Sequence, residues 1–396
     1  MPVEQLRPDA WDDAAVYWAG YPEDEDFSDV GSLSSETTAR SMSTLSSFEV
    51  SSYFREIYGR MYPADTNIPP FVPLDNGEAA RLELQHYYLK LMIGSNYFGP
   101  VNSILQPHPL RRKRVLDVFT ADGTWAQEMA TEFPHVDFVS LDMVPLVPHT
   151  PRANVIFEVY DVYNGLAEPD ASFDMVHTRR TVSQITDYPA FMREIHRVLR
   201  PGGLLLFGQL EVEVYEYTGP NKSTPNDPGE TLYPGPHVIQ APRSLQAMSR
   251  GMRLLRDSLI SQSVSINMWR ELPDLLVPDS SLWRIPPREL KSDNFEEGQP
   301  HMRVPHTPGP GGYRDIVVTT HILPTTSWHS CPRLRALGDV VQQVGEWDWK
   351  NFGLLFRQHG LNEKEADALI EAGMKERTSV DIWQVMRYHT IYATKI

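Results

Sequence analysis

The middle of the chain, from about residue 114 to residue 208, alternates short apolar runs with stretches in which apolar residues recur every three to four positions. Short apolar runs predict buried strands, and the longer spacing predicts amphipathic helices. Strand and helix in alternation are typical of βαβ units, in which helices cover a parallel sheet. The predicted strands are 114–118, 136–141, 156–160, 171–177 and 204–208, and the predicted helices are 124–133 and 188–199.

The region before this core predicts a tail and a helical extension. Residues 1–50 are acidic and rich in serine, and such a segment buries too little apolar surface to become ordered. Residues 51–110 predict an N-terminal helical cap with helices at 51–58 and 76–94, because their apolar positions follow the helical spacing.

The region after the core completes the predicted sheet. A helical lid insert is predicted at about 215–312, followed by a strand at 316–321, a broken helical stretch at 334–374 and a final strand at 388–395. The whole pattern predicts an α/β fold within residues 111–396. It is a Rossmann-like, seven-stranded, doubly wound and mostly parallel sheet that carries the lid insert and the N-terminal helical extension.

Charge and composition narrow the classes of partner. The formal net charge of −16 opposes binding to phosphate backbones, so no nucleic acid partner is expected. The single cysteine, Cys331, excludes a disulfide within the chain and suits a reducing compartment. No stretch is apolar enough to span a membrane, and the start of the chain lacks the pattern of a secretory signal. We expect a cytoplasmic protein, with a nuclear location open and the oligomeric state undetermined.

A candidate cofactor site begins where the first predicted strand of the sheet ends. Asp117 closes this strand, and the turn through Phe119, Thr120, Ala121 and Gly123 leads into a helix. Backbone N–H groups and the helix dipole at such a corner can face a ligand. An acid at the strand end suits a cationic amino group better than a pyrophosphate. This favours S-adenosylmethionine (SAM) over a dinucleotide.

Two more acids follow the next two strands. Asp142 ends the second strand, about 20 residues past the turn, where a carboxylate can accept both hydroxyls of a ribose. Asp161 ends the third strand and can accept a hydrogen bond from an adenine amino group. Met143 and Val162 are expected to give the adenine apolar faces.

These residues together resemble the class I SAM-dependent methyltransferase family, and most of all its fungal LaeA-like branch. That branch includes small-molecule methyltransferases and regulators of secondary metabolism. The resemblance covers residues 53–396. Its motifs are Val115 to Asp117 with Gly123 to Trp125, Asp142, Asp161, Ser172 to Asp174, Leu199 to Gly203, Arg81 to His86, Cys331 to Leu334 and Tyr388 to Lys395. The resemblance implies SAM as cofactor and methyl transfer as activity.

The turn departs from the family pattern, which has three glycines at alternate positions after the acid. Phe119 and Ala121 occupy the first two of these positions, and only Gly123 remains. Glycine tolerates positive φ, so the turn would have to leave the family's backbone path if the Phe119 ring pointed into the site. We expect the Phe119 ring to point into the neighbouring helices and SAM binding to persist, since all three acids are present.

The chemistry of methyl transfer is expected at the carboxyl ends of the strands. His177 is the candidate general base, because the pKa of a histidine lies near neutrality. Arg179 and Gln209 are candidates for binding the acceptor. Arg179 and Arg180 could hold an acidic acceptor, or could equally pair with surface carboxylates. Met268 and Trp269 in the lid would give the acceptor an apolar wall. The histidines show no metal-ligand spacing, and no metal is expected.

Three functions remain open at this point. The first is an enzyme that methylates a small molecule, with oxygen favoured as the acceptor atom. The second is a LaeA-like regulatory protein, for which the basic run 111–114 could serve as a nuclear import signal. The third is a scaffold without catalytic activity. The basic run is more often a solvated loop before a strand, so the enzyme is the favoured interpretation.

Overall fold

The computed structural model describes residues 47–396, except for 58, 66–67, 69–72, 147–151, 182–183, 220–231, 233–234, 285–310 and 380. The predicted tail falls almost wholly outside the described residues, as do residues 285–310 of the predicted lid insert. The described strands are β1 (Phe54–Ile57), β2 (Arg60–Pro63), β3 (Lys113–Val118), β4 (Val136–Asp142), β5 (Val155–Val159), β6 (Phe173–Arg179), β7 (Leu199–Leu210), β8 (Tyr215–Tyr217), β9 (Val238–Gln240), β10 (Tyr313–Pro324) and β11 (Gln384–Lys395).

The described helices cover both faces of the main sheet and form a separate helical layer at one end. They are α1 (Ser47–Ser52), α2 (Asn76–Ile93), α3 (Val101–Ile104), α4 (Thr124–Glu132), α5 (Tyr188–Val198), α6 (Gln246–Ser261), α7 (Met268–Leu276), α8 (Ser281–Arg284), α9 (Pro332–Asn351), α10 (Gly353–Gln358) and α11 (Glu363–Arg377). No described helix has the length and apolar character that crossing a membrane requires.

The main sheet has the predicted doubly wound order. Its strands run β5-β4-β3-β6-β7-β11, and β10 pairs with the other side of β11. The pairs β3–β4, β3–β6, β4–β5 and β6–β7 are parallel, and β11 is antiparallel to both β7 and β10. These seven strands confirm the predicted fold class.

The described sheet has nine strands, because two more come from the insert that was predicted to be helical. β8 pairs with the start of β11 at Gln384 and Val385, and β9 pairs with β8. β11 begins before its pairing with β7 starts at Tyr388. Its first residues therefore leave backbone groups that β8 can satisfy, which a pattern of apolar residues cannot reveal.

The prediction of a helix at 51–58 is wrong. Helix α1 ends at Ser52, and the chain then forms the antiparallel hairpin β1–β2, in which Ile57 pairs with Arg60. Gly59 lies in the turn with φ of 73°, a conformation that glycine adopts without strain. Tyr53, Phe54 and Ile57 are aromatic or β-branched, and such residues are enriched in strands.

Local signals explain the helix boundaries next to the site. α2 was predicted for 76–94, and it ends at Ile93 because Gly94 adopts a left-handed φ of 88°. α5 begins after Asp187, whose side chain accepts a hydrogen bond from the backbone N–H of Ala190 at 2.9 Å.

Two apolar cores lie on the two faces of the sheet. On one face, Leu116, Leu141 and Phe207 pack with α5 and α7. On the other face, Val115 and Phe138 pack with α3 and α4. This arrangement leaves the carboxyl ends of β3, β4 and β6 along one edge, where α2 passes and where the candidate site lies.

Candidate functional site

The turn after β3 keeps a left-handed backbone at every position where the family has glycine. The φ angles are 63° at Phe119, 59° at Ala121 and 73° at Gly123. The N–H groups of Phe119 and Thr120 both donate to the carbonyl of Leu141, at 2.8 and 3.1 Å. Phe119 and Ala121 thus both adopt the left-handed conformation, although neither is glycine. The neighbouring strand β4 holds the turn in a conformation that costs a non-glycine residue about 1–2 kcal/mol.

The Phe119 side chain contributes to the core rather than filling the cofactor corner. Its ring lies 5.8 Å from the ring of Phe191 on α5 and is 4% exposed. This position agrees with the expectation that the ring packs against a neighbouring helix. One edge of the ring still lines the cavity described below.

Glycine substitutions in this turn are expected to have opposite effects on stability. Phe119→Gly removes a buried ring at about 3–5 kcal/mol and relieves about 1–2 kcal/mol of backbone strain, so we expect a net loss of about 2 kcal/mol. Ala121→Gly removes only strain and should raise the free energy of unfolding by about 0.5–1 kcal/mol. Chemical denaturation measures both. A marked gain in SAM affinity with Phe119→Gly would show instead that the ring obstructs the site.

Asp142 lies at the end of β4, 5% exposed, beside the turn. Its Oδ2 accepts the N–H of Ala121 at 2.9 Å, and its Oδ1 accepts the N–H groups of Met143 and Val144 at 2.7 and 3.4 Å. Burial raises the pKa of Asp142 to about 6, although these hydrogen bonds oppose the shift. A carboxylate has about four acceptor positions, so Asp142 retains capacity for a ligand hydroxyl.

Asp117 and His177 form a buried pair that links β3 to β6. They are direct neighbours in the parallel register, and His177 Nδ1 lies 2.7 Å from Asp117 Oδ1. The indole of Trp125 stacks on the imidazole with ring centres 3.7 Å apart. The other Asp117 oxygen lies 3.4 Å from Ser140 Oγ, which donates to Thr120 Oγ1 at 2.6 Å.

This environment does not suit the predicted general base. His177 is 4% exposed, burial lowers its pKa despite Asp117, and it is not among the residues that line the cavity. Asp117 does not line the cavity either, although it was predicted to face the amino group of SAM. His177 thus lies outside the lining of this cavity, and its role as a general base stays a prediction. The pair also joins the two strands that present the site.

Asp161 caps a short 3-10 helix, Val162–Asn164, after β5. Its Oδ1 accepts the N–H of Tyr163 at 2.8 Å, and its Oδ2 accepts the side-chain amide of Asn164 at 3.0 Å. Burial raises the pKa of Asp161. Val162 is buried in the core next to the turn, whereas Met143 borders the cavity.

A cavity of about 110 Å³ lies between the turn, the ends of β4 and β6, and helix α2. It is lined by Pro63, Ile68, Leu74, Glu78, Arg81, Leu82, Gln85, Phe119, Ala121, Asp122, Asp142, Met143, Val144, Leu146, Arg179, Arg180, Gln184 and Asp348. Ligand pockets usually measure about 300–1,000 Å³, so this cavity must widen to accept a cofactor together with an acceptor.

Helix α2 contributes a buried ionic network to the cavity wall. The guanidinium of Arg81 donates to both carboxylate oxygens of Glu78, each at 2.6 Å, and to Gln85 Oε1 at 2.7 Å. Asp348 of α9 lies 3.3 Å from the same guanidinium. Sequence reasoning noted the motif 81–86 without giving it a role. Glu78, Arg81 and Gln85 are spaced so that they lie on one face of a helix. This spacing alone could have predicted that their side chains interact.

Two adjacent arginines border the cavity at the end of β6. Arg179 is the last residue of the strand, and one of its Nη atoms donates to His86 Nδ1 at 3.0 Å. Arg180 follows with φ of 55°, and its Nη1 donates to the hydroxyl of Tyr88 at 2.8 Å. The structure thus brings both arginines, Arg179 and Arg180, to the cavity.

His86 gives the protein a pH-dependent stability. Burial and the charge of Arg179 lower its pKa from 6.5 to about 4, so the imidazole stays neutral in the fold. Below about pH 6.5, His86 binds a proton in the unfolded chain but stays neutral in the folded chain until about pH 4. The free energy of unfolding therefore falls as the pH falls. We expect this site to remove about 2 kcal/mol between about pH 7 and pH 5.

The check is the change in the free energy of unfolding over this pH range, compared between the wild type and His86→Gln. The variant should lose less stability on acidification. His237→Gln, at an exposed histidine, is the matched control and should keep the wild-type slope. Parallel slopes for the wild type and His86→Gln would contradict the assignment.

The remaining predicted acceptor-binding residues do not border the cavity. Gln209 is 1% exposed and donates to the carbonyl of Leu210 at 3.2 Å. Met268 lies in the core beneath α7, and Trp269 stacks on His389 with ring centres 3.8 Å apart. Gln209 was predicted to bind the acceptor from its place at a strand end, and Met268 and Trp269 from their place in the lid. In the structure, α7 packs Met268 and Trp269 onto the sheet.

The basic run before β3 is neutralised by carboxylates. Arg111 and Lys113 pair with Asp174, at 2.5 and 3.3 Å. Arg112 pairs with Asp137 at 2.6 Å, and Arg114 with Glu168 at 3.3 Å. These pairs favour the interpretation of a structural loop over an import signal. Within the described residues, no three His, Cys, Asp or Glu side chains are placed to hold a metal ion.

Comparison with known proteins connects this geometry to a family. Residues 95–250 match the family described as a methyltransferase domain. The chain is 34% identical over 164 residues to the secondary metabolism regulator laeA of Coprinopsis cinerea, covering 41% of this chain and 40% of that protein. It is 33% identical over 137 residues to the methyltransferase pytC of Aspergillus terreus, covering 34% of this chain and 40% of that protein.

The chain thus spans about two fifths of the length of these curated relatives. Among solved structures, a Haemonchus contortus phosphoethanolamine N-methyltransferase 2 in complex with SAM is 15% identical. The match covers 84% of this chain and 61% of that chain, and its TM-score of 0.39 marks a remote likeness. The order of the strands and the turn after β3 agree with the match of residues 95–250 to a methyltransferase domain. Residues 95–250 are thus similar to class I SAM-dependent methyltransferases, and the matched relatives include a regulator and a methyltransferase of the fungal LaeA-like branch.

Proposed function

We propose that the protein transfers the methyl group of SAM to an oxygen atom of a small molecule in secondary metabolism. The observation that carries this proposal is the left-handed turn after β3, with the carboxylate of Asp142 bonded to the turn beside a cavity. The relatives named as methyltransferase pytC and secondary metabolism regulator laeA support both the activity and its setting. A cytoplasmic or nuclear location and a small-molecule partner remain part of the proposal.

The residues at the site fit SAM. Asp142 has acceptor capacity for the ribose hydroxyls, and Met143 presents an apolar surface to the cavity. Asp161 and Val162, after β5, are proposed for the adenine side, with the Asp161 carboxylate accepting the adenine amino group. The turn at Phe119 to Gly123 and the α2 residues Arg81 and Gln85 would border the methionine side.

SAM, when bound, supplies an electrophilic methyl group on a sulfonium. The protein's own contribution is to align the acceptor with that methyl group and to exclude water, which are the main requirements of an in-line displacement. The closed wall formed by α2, the turn and the β6 end serves this purpose. Because the cavity is small, we expect ligand binding to include an outward movement of part of this wall.

Calorimetry with SAM and S-adenosylhomocysteine, followed by incubation of metabolite extracts with methyl-labelled SAM, tests the proposal. An enzyme should bind both ligands and transfer label to a small molecule. A scaffold without activity should bind neither. Binding without transfer to any extract would oppose the enzymatic proposal.

A regulatory role is the second candidate, favoured by the laeA match and by 28% identity over 132 residues to the regulator LAE1 of Cochliobolus heterostrophus. Such a role would act through protein partners. The two candidates differ in one observable. The observable is the effect of a variant that no longer binds SAM. If the protein is a metabolic enzyme, this variant should form no methylated product. If the protein is a regulator, the variant should change only the amounts of product that other enzymes form.

A further inference from the structure

We infer that the acceptor presents a carboxylate, which Arg179 and Arg180 hold at the end of β6 so that the methyl group is transferred to a carboxylate oxygen. This inference rests on the proposed methyl transfer and names the class of its acceptor: a small carboxylic acid with an apolar body.

The two guanidinium groups are fixed at the cavity by the backbone of the sheet. Arg179 pairs with Gly208 of β7 in the parallel register, and the N–H of Arg180 donates to the Gly208 carbonyl at 2.7 Å. The left-handed φ of 55° at Arg180 turns the chain directly after the strand, so that two consecutive side chains both border the cavity. Strained backbone of this kind concentrates at functional sites.

The described hydrogen-bond partners of the two guanidinium groups are neutral side chains. Arg179 donates to His86, whose lowered pKa keeps its imidazole uncharged, and Arg180 donates to the hydroxyl of Tyr88. Among the described residues, neither arginine forms an ion pair within 4.0 Å. Two guanidinium groups side by side without a carboxylate partner favour an anion in the adjoining space.

The carboxylates that line the cavity already have other partners. Glu78 and Asp348 lie against Arg81. Asp142 accepts backbone N–H groups from the turn, and Asp122 accepts the hydroxyl of Thr124 at 2.6 Å. Among the described residues, none of these carboxylates forms an ion pair with Arg179 or Arg180, so both guanidinium groups keep N–H donors for an anionic acceptor.

Among the described lining residues, the candidate bases for a hydroxyl are carboxylates that already accept hydrogen bonds or form ion pairs. The described lining residues include no histidine, lysine, cysteine or tyrosine, and His177 is buried away from the cavity. A carboxylate needs no base, because it is already ionised at neutral pH. In the step, a carboxylate oxygen forms a bond to the methyl carbon while the carbon–sulfur bond breaks. The bonding pair stays on sulfur, the products are a methyl ester and S-adenosylhomocysteine, and no proton moves.

The arginines should govern recognition more than rate. The acceptor carries its full negative charge before transfer and loses it during the step, so guanidinium contacts stabilise the bound substrate more than the transition state. Their removal should raise KM strongly and lower kcat little. The neutral ester product loses the ion pairs, which favours its release.

Benzoate tests the inference, with benzamide as a neutral molecule of the same shape. We load the protein with S-adenosylhomocysteine and titrate each probe by calorimetry. The wild type should bind benzoate at least about ten-fold more tightly than benzamide, as expected for hydrogen bonds to a charged group. Arg179→Gln combined with Arg180→Gln should abolish this preference. Arg179→Lys combined with Arg180→Lys should retain part of it, and Arg314→Gln, at an exposed arginine, should retain all of it.

The outcomes separate the two proposals. Failure of the wild type to bind S-adenosylhomocysteine overturns the proposed function, and this inference with it. Binding of S-adenosylhomocysteine with equal affinity for benzoate and benzamide overturns this inference alone, and needs no variant to fold. If the Gln variants lose at least about ten-fold in affinity for S-adenosylhomocysteine, the arginines hold the cofactor's own carboxylate, and the inference is wrong.

Discussion

Replacing Arg81 by methionine is expected to lower the free energy of unfolding by about 3–5 kcal/mol, the largest effect of any single change considered for this protein. Arg81 is 5% exposed and lies between the carboxylates of Glu78 and Asp348. Its removal leaves Glu78, which is 2% exposed, without a counter-charge in a low-dielectric wall. Burial already raises the pKa of Glu78 while Arg81 opposes the shift, so the variant should also take up a proton at this site.

Thermal or chemical denaturation measures the loss, and Arg112→Met is the matched control. Arg112 pairs with Asp137 at the surface, where both side chains are largely exposed, and such a pair contributes about 0–1 kcal/mol. Combining Arg81→Met with Glu78→Leu should recover part of the stability, because a buried ion pair replaced by apolar groups is often tolerated. Equal losses for Arg81→Met and Arg112→Met would show that the network around Arg81 contributes little.

Asp142→Asn is expected to weaken SAM binding by about 1–3 kcal/mol, the usual cost of losing hydrogen bonds to a charged group. The amide keeps the size of the carboxylate but has one acceptor oxygen. A single oxygen cannot accept hydrogen bonds from the N–H groups of Ala121 and Met143 and also from a ribose hydroxyl. The wild-type affinity should also fall as the pH drops below about 6, because the raised pKa of Asp142 means that the carboxylate is protonated there.

Asp187→Asn provides the control for this variant. Asp187 also accepts a backbone N–H, that of Ala190, but it caps α5 away from the cavity. Calorimetry with SAM should register the loss for Asp142→Asn and an unchanged affinity for Asp187→Asn. If Asp142→Asn binds SAM as the wild type does over the whole pH range, the ribose assignment is wrong.

The order of strands and helices along the sequence was enough to predict much of the fold. Apolar runs that alternate with helical spacing require a parallel sheet, because each strand must be followed by a crossover helix that packs back onto it. The same reasoning placed the turn after β3 and Asp142 at one edge, since the carboxyl ends of parallel strands share that edge. The bounds of α2, α5 and the final strand followed from caps, glycine and residue alternation.

The positions of individual side chains at the site depended on contacts between distant segments. The register of β3 against β6 sets Asp117 beside His177, and both side chains are buried. The Phe119 ring finds space against Phe191 only because α5 crosses that face of the sheet.

The wall of the cavity depended on the same kind of contact. The sequence identified the motif that contains Arg81 but not its partner Asp348, more than 250 residues away, because a pattern within one helix carries no information about which helix packs on it. Likewise, Arg179 and Arg180 were visible as a charged pair. Only the tertiary structure decided that their neighbours are the neutral His86 and Tyr88, which leaves the charge of both arginines directed at the cavity.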